Sequence, residues 1–224
     1  MPIARSSLAG AATGVVLLAG AVGFGVGLPE VVENPGAHAA DLPKLPDRLD
    51  DRFIALSAVT PEDGKATTPD AVAQMKAFAT EAASSEKEAK ERLAGIYDDA
   101  VVRSYLDVPA TVAANATSRP ATLAVTIVPG DAGLVIPNGP FQIDQSGTHY
   151  DLKKVSGYRC SVTWSETIDP TTGIPTGEKP TGANYQVDCR TDRDGVTYDV
   201  YGTGLTPEET AHYLDVVLEQ TATD

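Results

Sequence analysis

The chain has little of what builds a metal centre or a cystine scaffold: its 224 residues include 3 His, 2 Cys and 1 Trp. That inventory excludes a multi-Cys/His zinc site, a metalloprotease histidine pair and a cysteine-dense mini-protein. Positive charge is also scarce. With 17 Lys and Arg against 31 Asp and Glu, the net charge is −14, which leaves no basic surface for a phosphate backbone. No nucleic-acid partner is expected. No serine sits in a nucleophile elbow, and His149 and His212 belong to no catalytic motif. Asp192 and Asp194 precede Gly195 without the further acidic positions of a calcium loop, so a hairpin turn explains them better. No catalytic residue, metal ligand or cofactor-binding residue is assigned by motif.

What is present begins with an address. Arg5 is the only charge before Glu30, and residues 6–29 form an uncharged run with Val15, Val16, Leu17 and Leu18 at its apolar peak. A bilayer core of about 30 Å needs roughly 20 such residues. The positive charge lies on the amino side and Glu30, Glu33 and Asp41 follow, which puts the bulk of the chain outside the cytoplasm. Residues 1–28 are therefore expected to be a transmembrane anchor or a signal peptide. Six glycines dilute the run, and Ala37-His38-Ala39 offers small residues at a cleavage site. Both readings stand. Ala21 occupies the position where a lipid anchor would need Cys.

Residues 29–46 hold Pro29, Pro35, Gly36, Pro43 and Pro46, an extended linker between membrane and domain. One domain is expected over 47–224, since single domains most often run to roughly 100–150 residues. Leu49, Phe53 and Leu56 fall at helical spacing and predict a short amphipathic helix over 47–58. Thr68, Pro69 and Asp70 supply an N-cap, a first-turn proline and a carboxylate matched to the helix dipole. The helix they start runs to Tyr97, because Val72, Met75, Ala79, Ala82, Glu86, Ala89, Leu93 and Ile96 recur in steps of three and four. Three alanines and a glutamate make that stripe a poor coiled-coil seam, so a monomer with this helix against its own sheet is expected. Ser84-Ser85 is the place for any kink.

After Asp98-Asp99 the texture turns β-branched. Strands are expected over 100–106, 121–128, 133–136 and 149–154, with 109–120 as a loop. Tyr158, Cys160, Val162 and Trp164 alternate with polar residues, as do Tyr185, Val187 and Cys189, then Val196, Tyr198 and Val200. Each strand has one apolar and one polar face, the signature of an antiparallel sheet covered on one side. The Asp194-Gly195 turn sets Cys189 opposite Val200. Opposing the cysteines then puts Val162 against Val187 and Trp164 against Tyr185, a self-consistent apolar register. A Cys160–Cys189 disulfide follows for an exported domain, rather than two buried free thiols.

The 166–184 stretch is rich in Thr, Gly and Pro, and a loop this long in a compact domain is usually functional or disordered, the alternative being a mere surface excursion that a stapled hairpin tolerates. Pinned at its base and free at its tip, it is the candidate contact loop, with Glu166, Pro170, Pro175, Lys179 and Asn184 as markers. The last helix starts at Thr206-Pro207 with Glu209 completing a capping box, and Ala211, Leu214, Val217 and Leu218 form its buried stripe. Together with the long helix it is expected to cover one face of the sheet, giving an α+β fold behind a single N-terminal transmembrane or signal helix.

In layout, an Ala/Gly-rich N-terminal segment, an acidic exported domain and a cysteine pair, the chain resembles uncharacterised membrane-anchored or secreted proteins of high-GC Gram-positive bacteria. That resemblance implies no activity and transfers no site residue. The expectation is a membrane-anchored extracytoplasmic binding or interaction module without catalytic activity. It would use the polar sheet face and the 166–184 loop to meet an envelope protein or a small ligand. The alternatives are an exported hydrolase with a site assembled from distant residues, and a structural envelope component. Residues 41–224 carry 16 basic and 29 acidic side chains, so the acidity belongs to the exported part.

Overall fold

The computed structural model describes residues 42–113, 120–133, 147–169 and 171–221. Eight strands form one wholly antiparallel sheet in the order β1-β2-β3-β4-β8-β7-β6-β5. In chain order these are β1 (Arg48–Leu49), β2 (Phe53–Ala55), β3 (Val101–Asp107), β4 (Thr122–Pro129), β5 (Thr148–Val155), β6 (Tyr158–Ser165), β7 (Tyr185–Arg193) and β8 (Val196–Thr203). Helix α1 (Pro69–Tyr97) precedes β3, α2 (Val108–Ala113) follows it, and α3 (Pro207–Thr221) closes the fold. The fold is α+β. The expected anchor or signal segment 1–28, the expected cleavage site at Ala37-His38-Ala39 and most of the expected linker lie outside the described residues. So do 134–136 of one expected strand. Among the described residues no helix is long and apolar enough to cross a membrane.

The register of the last three strands follows from side-chain alternation and two tight turns. Cys160 faces Cys189, Val162 faces Val187, Trp164 faces Tyr185 and Cys189 faces Val200. Asp194 and Gly195 both have positive φ, 54° and 78°, as a type I′ hairpin turn demands. Ser156 and Gly157 do the same between β5 and β6, at 52° and 94°.

Residues 47–58 are not a helix. Arg48–Leu49 pairs with Phe53–Ala55 around Asp50 (φ 52°), and a 3-10 turn, Leu56–Ala58, follows. The physical reason is burial on both sides of the sheet. Phe53 and Ala55 join the main core while Ile54 joins a second cluster with Leu106, Val108 and Val59. Consecutive buried residues on alternate faces need a two-residue period, which a helix cannot supply. Nor is 109–120 all loop. Asp107 Oδ1 accepts the Ala110 N–H at 2.9 Å and caps α2.

The helices divide between the faces. Helix α3 lies on the main core, with Ala211, Leu214 and Val217 fully buried among Leu123, Val125, Val187 and Val200. Its Thr206 N–H donates to Glu209 Oε2 (2.9 Å) and the Glu209 N–H returns to Thr206 Oγ1 (3.2 Å), which completes the expected capping box. Thr68 Oγ1 caps α1 through the Ala71 N–H (3.2 Å), as its sequence signal implies. Helix α1 runs unbroken through Ser84-Ser85, and of its residues only Ala89 is buried. Its Met75 packs against the Ile54–Leu106 cluster, on the side opposite α3, and Glu86 accepts the Ser104 N–H at 3.3 Å. The expectation that both helices share one face therefore holds for α3 alone.

Polar side chains help tie α3 to the sheet. Arg52 bridges Asp107 (2.6 Å) and Glu209 (3.3 Å) and lies over the Phe53 ring, which meets Tyr213 edge-on at 4.7 Å. Midway along α3 the Tyr158 hydroxyl donates to Asp215, and burial, reinforced by that carboxylate, pushes the phenol up to about 12.

Candidate functional site

The 166–184 excursion leaves the sheet where β6 ends and returns at the start of β7. Its base is covalently closed by the Cys160–Cys189 disulfide, with the two Cα atoms 4.1 Å apart. This close approach suits directly opposed residues of an antiparallel pair. Above the disulfide, on the same face, the next positions are Val162–Val187 and then Trp164–Tyr185. His149 of β5 completes this upper row. Its ring stacks on Trp164 at 5.0 Å and 22°, Tyr185 sits 6.3 Å beyond, and His149 Nε2 lies 2.9 Å from Glu166 Oε1. The Glu166 N–H donates to the Gly147 carbonyl (2.8 Å), so the first residue of the excursion is held by both backbone and side chain.

The tip is a small hydrogen-bonded hairpin rather than a free coil. Ile168 pairs with Pro175, the Asp169 N–H donates to Ile174 O (3.0 Å) and the Thr176 N–H donates to Thr167 O (2.9 Å). Asp169 Oδ1 accepts the N–H groups of Thr171 (2.7 Å) and Thr172 (3.1 Å). Those two bonds, Thr171 first, hold its carboxyl below the usual range. Ile174 is 63% exposed and Ile168 44%, so the hairpin presents two large aliphatic side chains to solvent.

The markers chosen from sequence have different fates. Glu166 is in the aromatic row and Pro175 is in the tip bridge, whereas Lys179 stands exposed on the descending limb. Asn184 Oδ1 accepts the Thr181 N–H (2.8 Å) and caps the 3-10 turn Gly182–Asn184. A Cβ on Gly182 would lie 2.8 Å from the Gly204 carbonyl, so the returning chain passes tightly over the end of β8. Pro170 lies outside the described residues.

The two histidines of the domain do not converge. His149 meets Glu166, while His212 of α3 lies 3.6 Å from Asp50 in the β1–β2 turn. Among the described residues no group of three His, Cys, Asp or Glu is placed to hold a metal ion. Asp192 and Asp194 serve the hairpin: Asp192 binds Arg159 and accepts the Thr197 hydroxyl (2.9 Å), and Asp194 makes the turn.

Sequence reasoning missed the His149–Trp164–Glu166 assembly. Its signal was the Ser156-Gly157 turn, which fixes the β5–β6 register and hence His149 opposite Trp164. It also missed the burial of Asp188, which by alternation alone reads as one more exposed polar residue.

No protein-family model, curated protein or solved structure matches the chain.

Proposed function

We propose that this protein is a membrane-anchored, extracytoplasmic interaction module whose contact surface is the 168–175 hairpin together with the adjoining polar sheet face. One observation carries the reading: the tip displays Ile168 and Ile174 on a hydrogen-bonded hairpin whose base is anchored by a disulfide and an aromatic row. A rigid presentation of aliphatic side chains loses little conformational entropy on binding, which is what a recognition element gains from preorganisation. The disulfide is compatible with an oxidising compartment, and the apolar run 6–29 supplies the tether. The partner is an envelope protein or a small ligand, bound by a monomer.

The test places a photo-crosslinking residue at Ile174, or at His212 on α3 (side chain 61% exposed), across the sheet from the polar face, as a control, in the full chain in its native host. A discrete adduct from position 174, absent from 212 and abolished by excising 168–175, is the expected result. No adduct, or the same adducts from both positions, overturns the contact surface. N-terminal sequencing of the fractionated protein tests the anchor. A membrane-bound chain that keeps residues 1–28 supports it, and a shed chain starting near residue 40 replaces it with a cleaved signal.

A further inference from the structure

The polar face of the sheet hides a carboxyl with one oxygen unbonded. One row across it runs Leu152, Ser161, Asp188 and Tyr201, and the next runs Lys154, Arg159, Arg190 and Asp199. Asp188 is 9% exposed, and its Oδ1 makes no hydrogen bond among the described residues. An ionised carboxylate buried in that way costs more than a neutral one.

Asp199, diagonal to Asp188 across the β7–β8 pair, is already engaged. Arg190 donates to Asp199 Oδ2 through Nε (2.7 Å) and approaches it through Nη2 (2.6 Å). The same guanidinium uses Nη1 to reach the carbonyls of Ala132 (3.3 Å) and Gly133 (3.1 Å), in the segment that leaves β4. One cation thus serves one carboxylate and one stretch of backbone, and a second negative charge beside Asp199 would compete for it.

We infer that Asp188, Asp199 and Arg190 form a proton-operated clasp: a proton on Asp188 leaves Arg190 with Asp199 and the Ala132 and Gly133 carbonyls, and its loss slackens that segment. Burial pushes the Asp188 carboxyl well above the usual range, Asp199 adds to the shift and Arg190 opposes it. The other ionisable groups sharing this face are Asp192 of β7, Arg159 of β6, Lys154 and Tyr150 of β5, Tyr201 of β8 and Asp131 beside the clasped segment. Arg159 is already bound to Asp192.

The folded state holds this proton more tightly than the unfolded chain does. The stability Asp188 contributes is therefore complete in acid and is lost as pH rises from about 4, the ordinary aspartate value, towards the raised folded value. Across that window the folding equilibrium constant of the wild type, relative to Asp188→Asn, falls about tenfold per pH unit.

The experiment compares wild type, Asp188→Asn and Asp199→Asn as full chains in detergent micelles, from about pH 5 to about pH 9, by denaturant unfolding and by amide exchange over 130–133. The clasp predicts that stability of the wild type falls relative to Asp188→Asn as pH rises. It also predicts that 130–133 exchanges faster in the wild type than in that variant at matched alkaline pH. Asp199→Asn frees Arg190 for Asp188 and flattens the dependence. A pH-independent stability difference, or equal exchange in wild type and Asp188→Asn, overturns it. Should either variant fail to fold, the side-chain carboxyl carbon of Asp188 in the wild type decides. A titration midpoint well above the ordinary aspartate value supports the clasp and one at or below it refutes it.

Discussion

His149 stacks on Trp164, its direct register partner across the β5–β6 hairpin, while its Nε2 meets Glu166 at the foot of the 166–184 excursion. Trp164 is the only tryptophan in the chain, so its emission reports the surroundings of this one ring. His149→Ala uncovers one indole face and should shift the emission to longer wavelength. It should also lower stability by about 0.5–1.5 kcal/mol, the range for a ring pair. His149→Phe keeps the stack and should restore both. Emission identical in all three proteins would mean that the rings do not stack in solution.

The disulfide closes a sequence separation of 29 residues. In the chain-entropy account, replacing both Cys160 and Cys189 by Ser should cost about 3–4 kcal/mol. Non-reducing intact mass should show the native chain two hydrogens lighter than its reduced form. Two alkylatable thiols in the untreated, unfolded protein would contradict the bond.

Helix α3 depends on its first turn. Thr206→Val deletes the hydroxyl that accepts the Glu209 N–H and should cost about 1 kcal/mol in urea unfolding. Burial at Glu209 opposes its charge, but hydrogen bonds from Thr206 and Arg52 outweigh that and hold its pKa below the ordinary value. A depressed folded pKa gives stability that is present above the unfolded value and lost as pH falls through the folded one. The deficit of Glu209→Gln relative to wild type should therefore shrink on acidification. A deficit that grows in acid would show that the glutamate is not stabilised as an anion.

At Gly202 of β8, α3 lies close against the sheet. A Cβ there would lie 2.7 Å from Thr210 Oγ1 and 3.5 Å from Leu123 Cδ2, and Thr210 is fully buried. Gly202→Ala should destabilise by about 1–3 kcal/mol through overpacking. Thr210→Ser removes the Cγ2 that also crowds the position at 3.3 Å and should recover part of the loss in the double variant. A thermal midpoint unchanged by Gly202→Ala would show that the helix does not rest on this strand.

Local chemistry made much of this fold legible. Thr68 with Pro69, Thr206 with Glu209, and Asp194 with Gly195 each encode a backbone event within a few residues. The alternation around Cys160 and Cys189 encodes a register, because a slip of one residue would expose every apolar side chain on the strand. The segment 47–58 defeats the same reasoning. Leu49, Phe53 and Leu56 satisfy a helical period, and a strand buried on both faces shows no alternation to compete with it.

The sequence by itself determined the caps, the turns, the disulfide pairing and the antiparallel order of the last strands, since each rests on contacts set by short-range geometry. Only the tertiary structure decided which helix covers which face, where His149 finds Trp164 and Glu166, and that Asp188 is buried. Those outcomes depend on what lies across the sheet from a residue, and the polarity of its sequence neighbours does not record that distance.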